Sequence, residues 1–427
     1  MNVLLILADA LRRDHMGCYG YSRNTTPTID RLAREGVLFR NYASNSSHTV
    51  PPTLSLLTGL HSTNHGIMTA QDYAPWIRDD PWRDRAIPPR VLAQKGYCVD
   101  GDLVKRFSTA GFSRDYLDLP AYLDEHRDRR WFYFAQPYPP HLPYNPPAEY
   151  YEEFIEPGYD PGPASRARLE IVKNAMICHP SNTTAALETD QEEAIPDEDM
   201  DEDHARSSAI VDLEQEDAAG IRALYDGEMR VLDDWVAMHL QKLESLGLLE
   251  DTLVVLMSDH GEELMERGYV GHSSTSLNGN LYDESMMVPL ILWHASRLPR
   301  GRVIEPLVSV VDIMPTIFDL LEIEPGEPVD GRSLASLIHG GDDTPPQTVF
   351  AEVPPAGWQR LVGDERRIRA ARTMEWKLIC NMDLTHPGKR YELYHLASDP
   401  GEQDNIYAPG HEQAISLTAA LEAHFGG

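Results

Sequence analysis

The feature that most constrains this chain is a series of short apolar runs in which apolar and polar residues do not alternate. Amphipathic segments of helical periodicity separate the runs, and the longest lies near residues 218–246 of the 427-residue chain. Continuous apolar runs of this length are typical of parallel strands buried on both faces. Their alternation with helices predicts an α/β fold, with a mostly parallel sheet flanked by helices. The predicted strands are NVLLILA (Asn2–Ala8), WFYFAQ (Trp131–Gln136), the run that begins TLVVLM at Thr252, and VPLILW (Val288–Trp293).

The pattern changes after about residue 340. Four short strand-like segments, QTVFAEV, IRAART, EWKLICNM and RYELYHL, precede a closing helix near His411–His424. They predict a small C-terminal α+β subdomain over residues 341–427, after a larger domain over residues 1–340. Within the larger domain, residues 183–208 are dense in acidic side chains and poor in large apolar ones. We expect this stretch to form a solvated acidic loop outside the sheet.

The charge of the chain narrows the classes of partner. A formal net charge of −31 opposes binding to nucleic acid or to an anionic membrane surface, because like charges repel. The same excess suits a protein that stays soluble at high salt, so composition favours a halophilic source. The four cysteines are far apart, and we expect them to be reduced. The apolar start is too short for a signal peptide and no integral membrane segment is evident, so we expect a cytoplasmic protein.

Ionisable residues follow two of the predicted strands. Asp9 ends the first strand, and Asp259 and His260 end the run that begins at Thr252. Ligands of open parallel sheets bind outside the carboxyl ends of the strands, so these three side chains can meet at one edge. Two carboxylates and an imidazole form a reasonable donor set for a divalent cation. A simple turn is the alternative for Asp259 and His260, whereas Asp9 is costly to bury without a partner.

The stretch SSHTVPPTLSLLTG (Ser46–Gly59) predicts a helix with an unusual start. Pro51 and Pro52 suit a first helical turn, and Gly59 is a natural stop. Thr49 stands at or near the N-cap, where a hydroxyl most often caps the helix. Helix N-termini also attract anions, through free N–H groups and the helix dipole. Thr49 is therefore either a cap or a reactive hydroxyl beside an anion site.

Taken together, the motifs resemble those of the sulfatase family in the alkaline phosphatase superfamily. The resemblance runs nearly end to end and implies an alkaline-phosphatase-like fold. It rests on several segments in the family's order: NVLLILADALRRDHMGCYGY, TPTIDRLAREGVLFRNYAS, LSLLTGLHSTNHG, PHLPYNPP, TLVVLMSDHGEEL, VPLILW, VDIMPTIFDLLEI, VDGRSLASL and ELYHLASDPGEQDNI.

The resemblance implies a metal site and places the family nucleophile at Thr49. Asp9, Asp259 and His260 match metal-ligand positions, and Thr49 would contact the same ion. The family implies one divalent cation, most often calcium. The donor types also admit magnesium, manganese or zinc.

Three basic residues match or fall near substrate-contacting positions of the family. His141, in PHLP, matches a histidine that contacts the transferred group or the leaving oxygen. His272, in GYVGHSS, falls near a basic substrate-binding position, and Lys105 is the nearest basic candidate for a further one. A capped proline-rich turn is the alternative for His141, and a surface-loop role is the alternative for His272.

The chain departs from the family pattern at three positions. The family motif is Cys or Ser followed by x-Pro-x-Arg, whereas here Thr49 stands at the nucleophile and Thr53 at the arginine. Ala10 replaces a second aspartate that commonly follows the first. The family converts its Cys or Ser to formylglycine, whose hydrate expels sulfate through a second hydroxyl. Threonine cannot be converted, but a threonine phosphate ester can be hydrolysed by in-line attack, so Thr49 favours phosphate or phosphonate esters. Ala10 and Thr53 instead favour a catalytically degenerate homologue.

We therefore expect a sulfatase-like, metal-dependent hydrolase of sulfuric or phosphoric (phosphonate) esters, with phosphate-type esters favoured. The substrate would be a small-molecule or carbohydrate oxyanion ester. Two alternatives remain open: a transferase that passes the phospho group to a carbohydrate or lipid hydroxyl, and a catalytically degenerate homologue that keeps the metal site.

Overall fold

The computed structural model describes residues 1–69, 72, 86–101, 118–181, 208–341, 348–357, 366–382 and 390–426. Its strands are β1 Asn2–Ala8, β2 Val37–Ala43, β3 Cys98–Gly101, β4 Trp131–Ala135, β5 Ile177–His179, β6 Ser208–Ile210, β7 Thr252–Ser258, β8 Glu263–Leu264, β9 Val270–Gly271, β10 Met287–Trp293, β11 Arg302–Ser309, β12 Val349–Val353, β13 Ile368–Arg372, β14 Trp376–Asn381 and β15 Tyr391–His395. Its helices are α1 Pro27–Glu35, α2 Val50–Thr58, α3 Ser62–His65, α4 Pro88–Gln94, α5 Leu119–His126, α6 Ala148–Phe154, α7 Pro163–Val172, α8 Ala218–Ser245, α9 Ser273–Ser276, α10 Asp283–Met286, α11 Ile313–Leu320, α12 Ala335–Ile338 and α13 Glu412–Phe425.

A seven-stranded sheet in the order β11-β2-β10-β7-β1-β4-β3 forms the centre of the molecule. β1 lies parallel to both of its neighbours, β7 and β4. β10 is the one strand of this sheet that runs against its neighbours, β2 and β7. The prediction of a mostly parallel sheet is confirmed, and all four predicted strands belong to it.

The sheet is buried on both faces, as its apolar runs predict. In β1, the side chains of Val3, Leu5 and Leu7 enter one hydrophobic cluster, and those of Leu4 and Ile6 enter the other. Helices α2 and α11 cover the first face, whereas α1, α5 and α8 cover the second. Burial on both faces explains why the strands contain no alternating polar positions.

The C-terminal strands form a separate antiparallel sheet, β12-β13-β14-β15, against which α13 packs. The predicted C-terminal subdomain with four strands and a closing helix is therefore present. Leu281 and Met286, from the earlier part of the chain, pack into the apolar cluster on this sheet. The division of the chain at residue 340 stays a prediction.

The predicted acidic loop lies outside the described residues, except for Ser208. Ser208 begins β6, which pairs with β5 in a two-stranded sheet apart from the central one. All four cysteines are free thiols. Across the described ranges, no helix combines the length and apolarity needed to cross a lipid bilayer.

Candidate active site

Two neighbouring parallel strands bring the predicted metal ligands together. Asp9 directly follows β1, and Asp259 and His260 directly follow β7. The register pairs Ala8 with Ser258, so both strands end at the same level of the sheet. One ligand atom from each of the three residues lies within 4.8 Å of the other two. The predicted convergence on one edge of the sheet is confirmed.

His260 is held in the form that suits a metal ligand. Its Nδ1 lies 2.8 Å from the carbonyl oxygen of Gly261, a contact that requires Nδ1 to carry the hydrogen. Burial lowers the pKa of His260 to about 4, so the imidazole is neutral near pH 7. Its Nε2 therefore presents a lone pair toward Asp9, whose Oδ1 lies 3.5 Å away.

Asp259 is a fully buried carboxyl group with one side left open. Its Oδ1 accepts hydrogen bonds from the backbone N–H groups of His260 at 2.9 Å and Ala10 at 3.3 Å. Its Oδ2 has no hydrogen-bond partner among the described residues and faces His260 Nε2 at 3.7 Å. Burial raises the pKa of Asp259 to about 7. A buried carboxylate of this kind needs a counter-charge.

A divalent cation fits these residues. Two carboxylates and one neutral imidazole supply oxygen and nitrogen donors within a common reach. The open oxygen of Asp259 and the lone pair of His260 turn toward the same point, and a cation there would balance the buried negative charge. The donor types are compatible with calcium, magnesium, manganese or zinc.

Gln136 is a neighbour of this site that the sequence interpretation missed. It follows β4, the other parallel neighbour of β1, and its Nε2 donates to Asp9 Oδ2 at 3.1 Å. This contact orients the Asp9 carboxylate. Gln136 ends an apolar run, as Asp9 does, but an amide side chain alone does not indicate a role.

Thr49 stands at the N-cap of α2, and its side chain makes no capping hydrogen bond. Its backbone is helical, with φ −59° and ψ −43°, whereas a capping residue normally has extended dihedral angles. The hydroxyl turns toward the metal-ligand cluster, with Oγ1 3.3 Å from Nε2 of His260. Of the two readings of Thr49, capping is not supported, and the hydroxyl lies beside the candidate cation site.

The expected cradle of helix N–H groups is smaller than predicted. Pro51 and Pro52 occupy the first turn of α2 and have no N–H to offer an anion. The N–H of Thr53 bonds the carbonyl of Thr49 at 3.2 Å. The two prolines that suit the start of the helix therefore offer no N–H groups to an oxyanion there.

His272 and His141 both lie beside the metal-ligand cluster. The His272 ring centroid is 4.3 Å from that of His260 and 4.9 Å from that of His141. His272 is 1% exposed and caps the short helix α9, and His141 is 8% exposed. The surface-loop alternative for His272 is therefore wrong.

Glu262 supports His272 and is a second residue that the sequence interpretation missed. Its Oε1 lies 2.9 Å from His272 Nδ1, and its side chain is fully buried. Burial raises the pKa of Glu262 and lowers the pKa of His272. Both shifts favour the uncharged form of each group.

Lys105, the further basic candidate for substrate binding, lies outside the described residues.

Ala10, which follows Asp9, adopts the left-handed conformation with φ 59°, uncommon for a residue with a Cβ. Its carbonyl accepts a hydrogen bond from the hydroxyl of Tyr225 at 2.7 Å. Together with the hydrogen bond from the Ala10 N–H to Oδ1 of Asp259, this contact holds the loop after β1.

Known protein families match this chain over most of its length. The Sulfatase family model matches residues 1–116 and 108–323, and the model "N-sulphoglucosamine sulphohydrolase, C-terminal" matches residues 278–425. The chain is similar to an arylsulfatase of Clostridium perfringens, at 22% identity over 396 residues, covering 80% of this chain and 79% of the relative. It is 25% identical over 429 residues to the multifunctional alkaline phosphatase superfamily protein PehA of Trinickia caryophylli, covering 80% and 77%.

A third relative is an N-acetylglucosamine-6-O-sulfatase of Bacteroides thetaiotaomicron, 22% identical over 496 residues, covering 95% of this chain and 82% of the relative. Among solved structures, the phosphonate monoester hydrolase of Agrobacterium radiobacter gives a TM-score of 0.72 at 21% identity, covering 99% of this chain and 94% of that one. At this identity the structural likeness shows a shared fold.

Proposed function

This chain belongs to the sulfatase family of ester hydrolases, and on that premise we propose that Thr49 is its nucleophile and that phosphoric or phosphonic esters are its preferred substrates. The observation that carries the proposal is the direction of the Thr49 side chain. Its hydroxyl makes no capping bond and lies 3.3 Å from Nε2 of His260, beside the Asp9, Asp259 and His260 cluster.

Asp9, Asp259 and His260 would hold the cation, with the Thr49 oxygen next to it. A divalent cation bound there would polarise a non-bridging oxygen of the ester and lower the pKa of an adjacent hydroxyl. Calcium is favoured by the family, and magnesium, manganese and zinc are the other candidates for this donor set.

Thr49 carries the transfer in two steps. Its Oγ1, having lost its proton to solvent, attacks phosphorus in line with the leaving oxygen, and the ester P–O bond breaks as the bond to Thr49 forms. His141 or His272 would donate a proton to the leaving oxygen, so that the leaving group departs as an alcohol. Water then attacks the phosphorus of the phosphothreonine, releases phosphate and returns the hydroxyl to Thr49. His272 would also stabilise the negative charge on a non-bridging oxygen.

The preference for phosphate over sulfate follows from the single hydroxyl of threonine. A formylglycine hydrate carries two hydroxyls on one carbon, and the second expels sulfate once the first has accepted the sulfo group. A sulfate ester of Thr49 has no such exit and needs water to attack at sulfur. A phosphate ester of Thr49 is open to a second in-line displacement, which regenerates the enzyme.

The substrate class we propose is a small-molecule or carbohydrate ester. The names of the relatives include an arylsulfatase and an N-acetylglucosamine-6-O-sulfatase, and these names describe an aryl ester and a sugar ester. The excess of acidic side chains on this chain argues against a polyanionic substrate, because repulsion would slow its approach.

A substrate panel with several cations tests the proposal. Phenyl phosphate, phenyl methylphosphonate, bis-phenyl phosphate and phenyl sulfate would each be assayed with calcium, magnesium, manganese and zinc at high salt. We expect turnover of the phosphorus esters to exceed that of the sulfate, and mass spectrometry of quenched reactions to find phosphate on Thr49. Efficient sulfate cleavage that survives Thr49→Ala would overturn the proposal.

Two other results would point to the remaining alternatives. Phosphate that stays on Thr49 until a sugar or glycerol acceptor is added would indicate a transferase. Cation binding without turnover of any ester would indicate a degenerate homologue that keeps its metal site.

A further inference from the structure

A hydrogen bond joins the segment that carries Thr49 to the segment that carries His272. Ser273 directly follows His272, and its Oγ donates to the carbonyl oxygen of Ser47 at 2.9 Å. Ser47 stands two residues before Thr49, whereas the two bonded serines are 226 positions apart in the chain. Both serines are buried, so solvent is poorly placed to replace the bond if it is lost.

The turn that leads to Thr49, residues 44–49, lies between β2 and α2. The start of α2 does little to fix it. The Thr49 side chain makes no capping bond, and Pro51 and Pro52 carry no N–H group. A helix start without a cap leaves its backbone groups to find partners elsewhere. The position of Thr49 therefore depends on the contacts that this turn makes with the rest of the molecule.

Two consecutive residues of the turn make such contacts. Ser47 accepts the bond from Ser273. Nε2 of His48 lies 2.8 Å from the carbonyl oxygen of Met68, a contact that requires Nε2 to carry the hydrogen. The Met68 contact attaches the turn to the segment after α3, whereas the Ser273 contact attaches it to the segment of the candidate site. Ser273 is thus the contact that relates the turn to the site.

The backbone that carries Ser273 is itself held firmly. The N–H of His272 donates to Oγ1 of Thr275 at 2.9 Å, and Nδ1 of His272 lies 2.9 Å from Oε1 of Glu262. These contacts fix the start of α9, whose first residue is Ser273. A hydroxyl on a fixed backbone has little conformational entropy left to lose when it bonds. Its bond can therefore hold the more weakly fixed turn at Ser47.

Gly357, which follows β12, lies directly against the Ser273 hydroxyl. A Cβ at Gly357 would lie 2.6 Å from Oγ of Ser273 and 2.7 Å from the backbone N of Ser274, and both distances are shorter than van der Waals contact. The φ of Gly357 is 56°, in the left-handed region that favours glycine. Alanine at position 357 should therefore displace the Ser273 hydroxyl without removing it.

We propose that Ser273 is a positioning residue for the reaction: its hydrogen bond to Ser47 holds the turn that directs the Thr49 hydroxyl to the candidate cation site. This inference rests on the proposed function, because it takes Thr49 as the nucleophile. Ser273 acts through the backbone of residues 47–49. Misplacing an attacking group slows the chemical step more than it weakens substrate binding, so loss of the bond should lower kcat and leave KM nearly unchanged.

The test uses two variants and a matched control for each. Ser273→Ala removes the bond, and Gly357→Ala displaces the hydroxyl that makes it. Ser165→Ala is the control for the first, since Ser165 is also fully buried and bonds a distant residue, Asp217, at 2.5 Å. Gly247→Ala is the control for the second. The φ of Gly247 is 69°, and a Cβ there would have open space within 4 Å, so this variant reproduces the backbone strain without the crowding.

Steady-state kinetics on phenyl phosphate with a divalent cation measures kcat and KM separately. We expect Ser273→Ala and Gly357→Ala to lower kcat by about 10- to 100-fold, the cost of misplacing a reacting group by about 1 Å. We expect KM to change by less than about threefold. The two control variants should keep kcat within about twofold of the wild-type value, because neither touches the turn before Thr49.

Hydrogen–deuterium exchange reports on the same turn without requiring turnover. We expect the peptide that spans residues 44–57 to exchange faster in Ser273→Ala and Gly357→Ala than in the wild-type protein and the two controls. Helix α8 is the internal reference, since a protein that is only less stable overall would also exchange faster there.

Three results would overturn the proposal. They are unchanged exchange of residues 44–57 in Ser273→Ala, faster exchange of that peptide with an unchanged kcat, and a loss of kcat accompanied by equally faster exchange in α8. Absence of turnover in the wild-type protein would instead overturn the proposed function. The exchange measurement alone would then decide whether Ser273 holds the turn.

Discussion

The hydroxyl of Thr49 lies 3.3 Å from Nε2 of His260, a residue 211 positions later in the chain. Because Nδ1 of His260 is committed to the carbonyl of Gly261, Nε2 is the acceptor and the Thr49 hydroxyl is the donor. A cation held by Nε2 would take that lone pair and release the hydroxyl. The same nitrogen thus links the proposed nucleophile with the proposed metal site.

Removal of the Thr49 hydroxyl should abolish turnover without unfolding the protein. We expect Thr49→Ala to lower kcat by about 10³-fold or more, since the attacking oxygen is gone. Thr49→Ser should retain measurable activity because it keeps a hydroxyl. The side chain makes no capping bond, so the unfolding free energy should change by less than about 1 kcal/mol. Steady-state kinetics measures the turnover of both variants, and thermal unfolding measures the change in stability.

Thr53→Val is the matched control on the same helix. Thr53 is fully buried, and its Oγ1 has no hydrogen-bond partner among the described residues. Valine has nearly the same shape, so we expect activity to persist and stability to rise by about 1 kcal/mol. An equal loss of activity in Thr53→Val and Thr49→Ala would argue that α2, rather than the Thr49 hydroxyl, is what matters.

Neutralising Asp259 should lower the affinity for the cation and raise the stability of the cation-free protein. Asp259 is fully buried, and burial raises its pKa to about 7. Above that pH, Asp259→Asn removes a costly buried charge, so the cation-free variant should be more stable by about 1–3 kcal/mol. Its cation affinity should fall by more than about 100-fold, because a direct ligand is lost. Calorimetry measures the cation affinity, and chemical denaturation in a chelator measures the stability of the cation-free protein. An unchanged affinity would show that Asp259 is not a ligand of the cation.

The stabilising effect of the cation should grow with pH. The ordinary pKa of Asp259 is 3.8, and burial raises it to about 7 in the folded protein. A carboxyl group with a raised pKa contributes stability that is present at low pH and is lost as the pH rises toward 7. A bound cation favours the carboxylate and reverses that loss. We expect the Tm increase on adding cation to be small near pH 5.5 and to grow up to about pH 8.

His260 contributes with the opposite sign. Burial lowers its pKa from 6.5 to about 4, so its contribution to stability is present above pH 6.5 and is lost as the pH falls toward 4. In the cation-free protein the two residues therefore largely offset each other between about pH 4.5 and 6.5. Thermal scans with and without cation measure the effect, and Asp259→Asn is the control in which the pH dependence of the cation-induced Tm increase should largely disappear.

Lys377 should be critical for docking of the C-terminal sheet. It is fully buried on β14, and its Nζ contacts Asp283 Oδ1 and Glu402 Oε1, each at 3.0 Å. Lys377→Met removes the cation beside Glu402, whereas Asp283 keeps its ion pair with Arg372 at 2.9 Å. The buried charge left at Glu402 should cost about 3–5 kcal/mol of unfolding free energy. Lys173→Met is the control: Lys173 pairs with Glu170 at the surface, and its loss should cost less than about 1 kcal/mol. Equal effects of the two substitutions on denaturant unfolding would contradict this account.

Local sequence pattern predicted the sheet and the edge at which the candidate metal ligands meet. β1 and β7 are apolar throughout because both faces are covered, and that composition is visible in the chain. Asp9 and Asp259 each follow such a strand, and the carboxyl ends of parallel strands share an edge, so their meeting required no coordinates. The reversed direction of β10 was not predictable in this way, since an apolar run has the same composition in either direction.

Contacts between segments distant in sequence decided how the side chains of the candidate site are arranged. Whether Thr49 caps α2 or faces the cation site depends on where His260 lies, and local sequence favoured the cap. Gln136 and Glu262 gain significance only from their neighbours Asp9 and His272. Residue type and spacing determined which strands form and where charge must be balanced, because burial and backbone geometry act locally. The direction of each side chain in the site was decided by tertiary packing, because its partners come from other strands and loops.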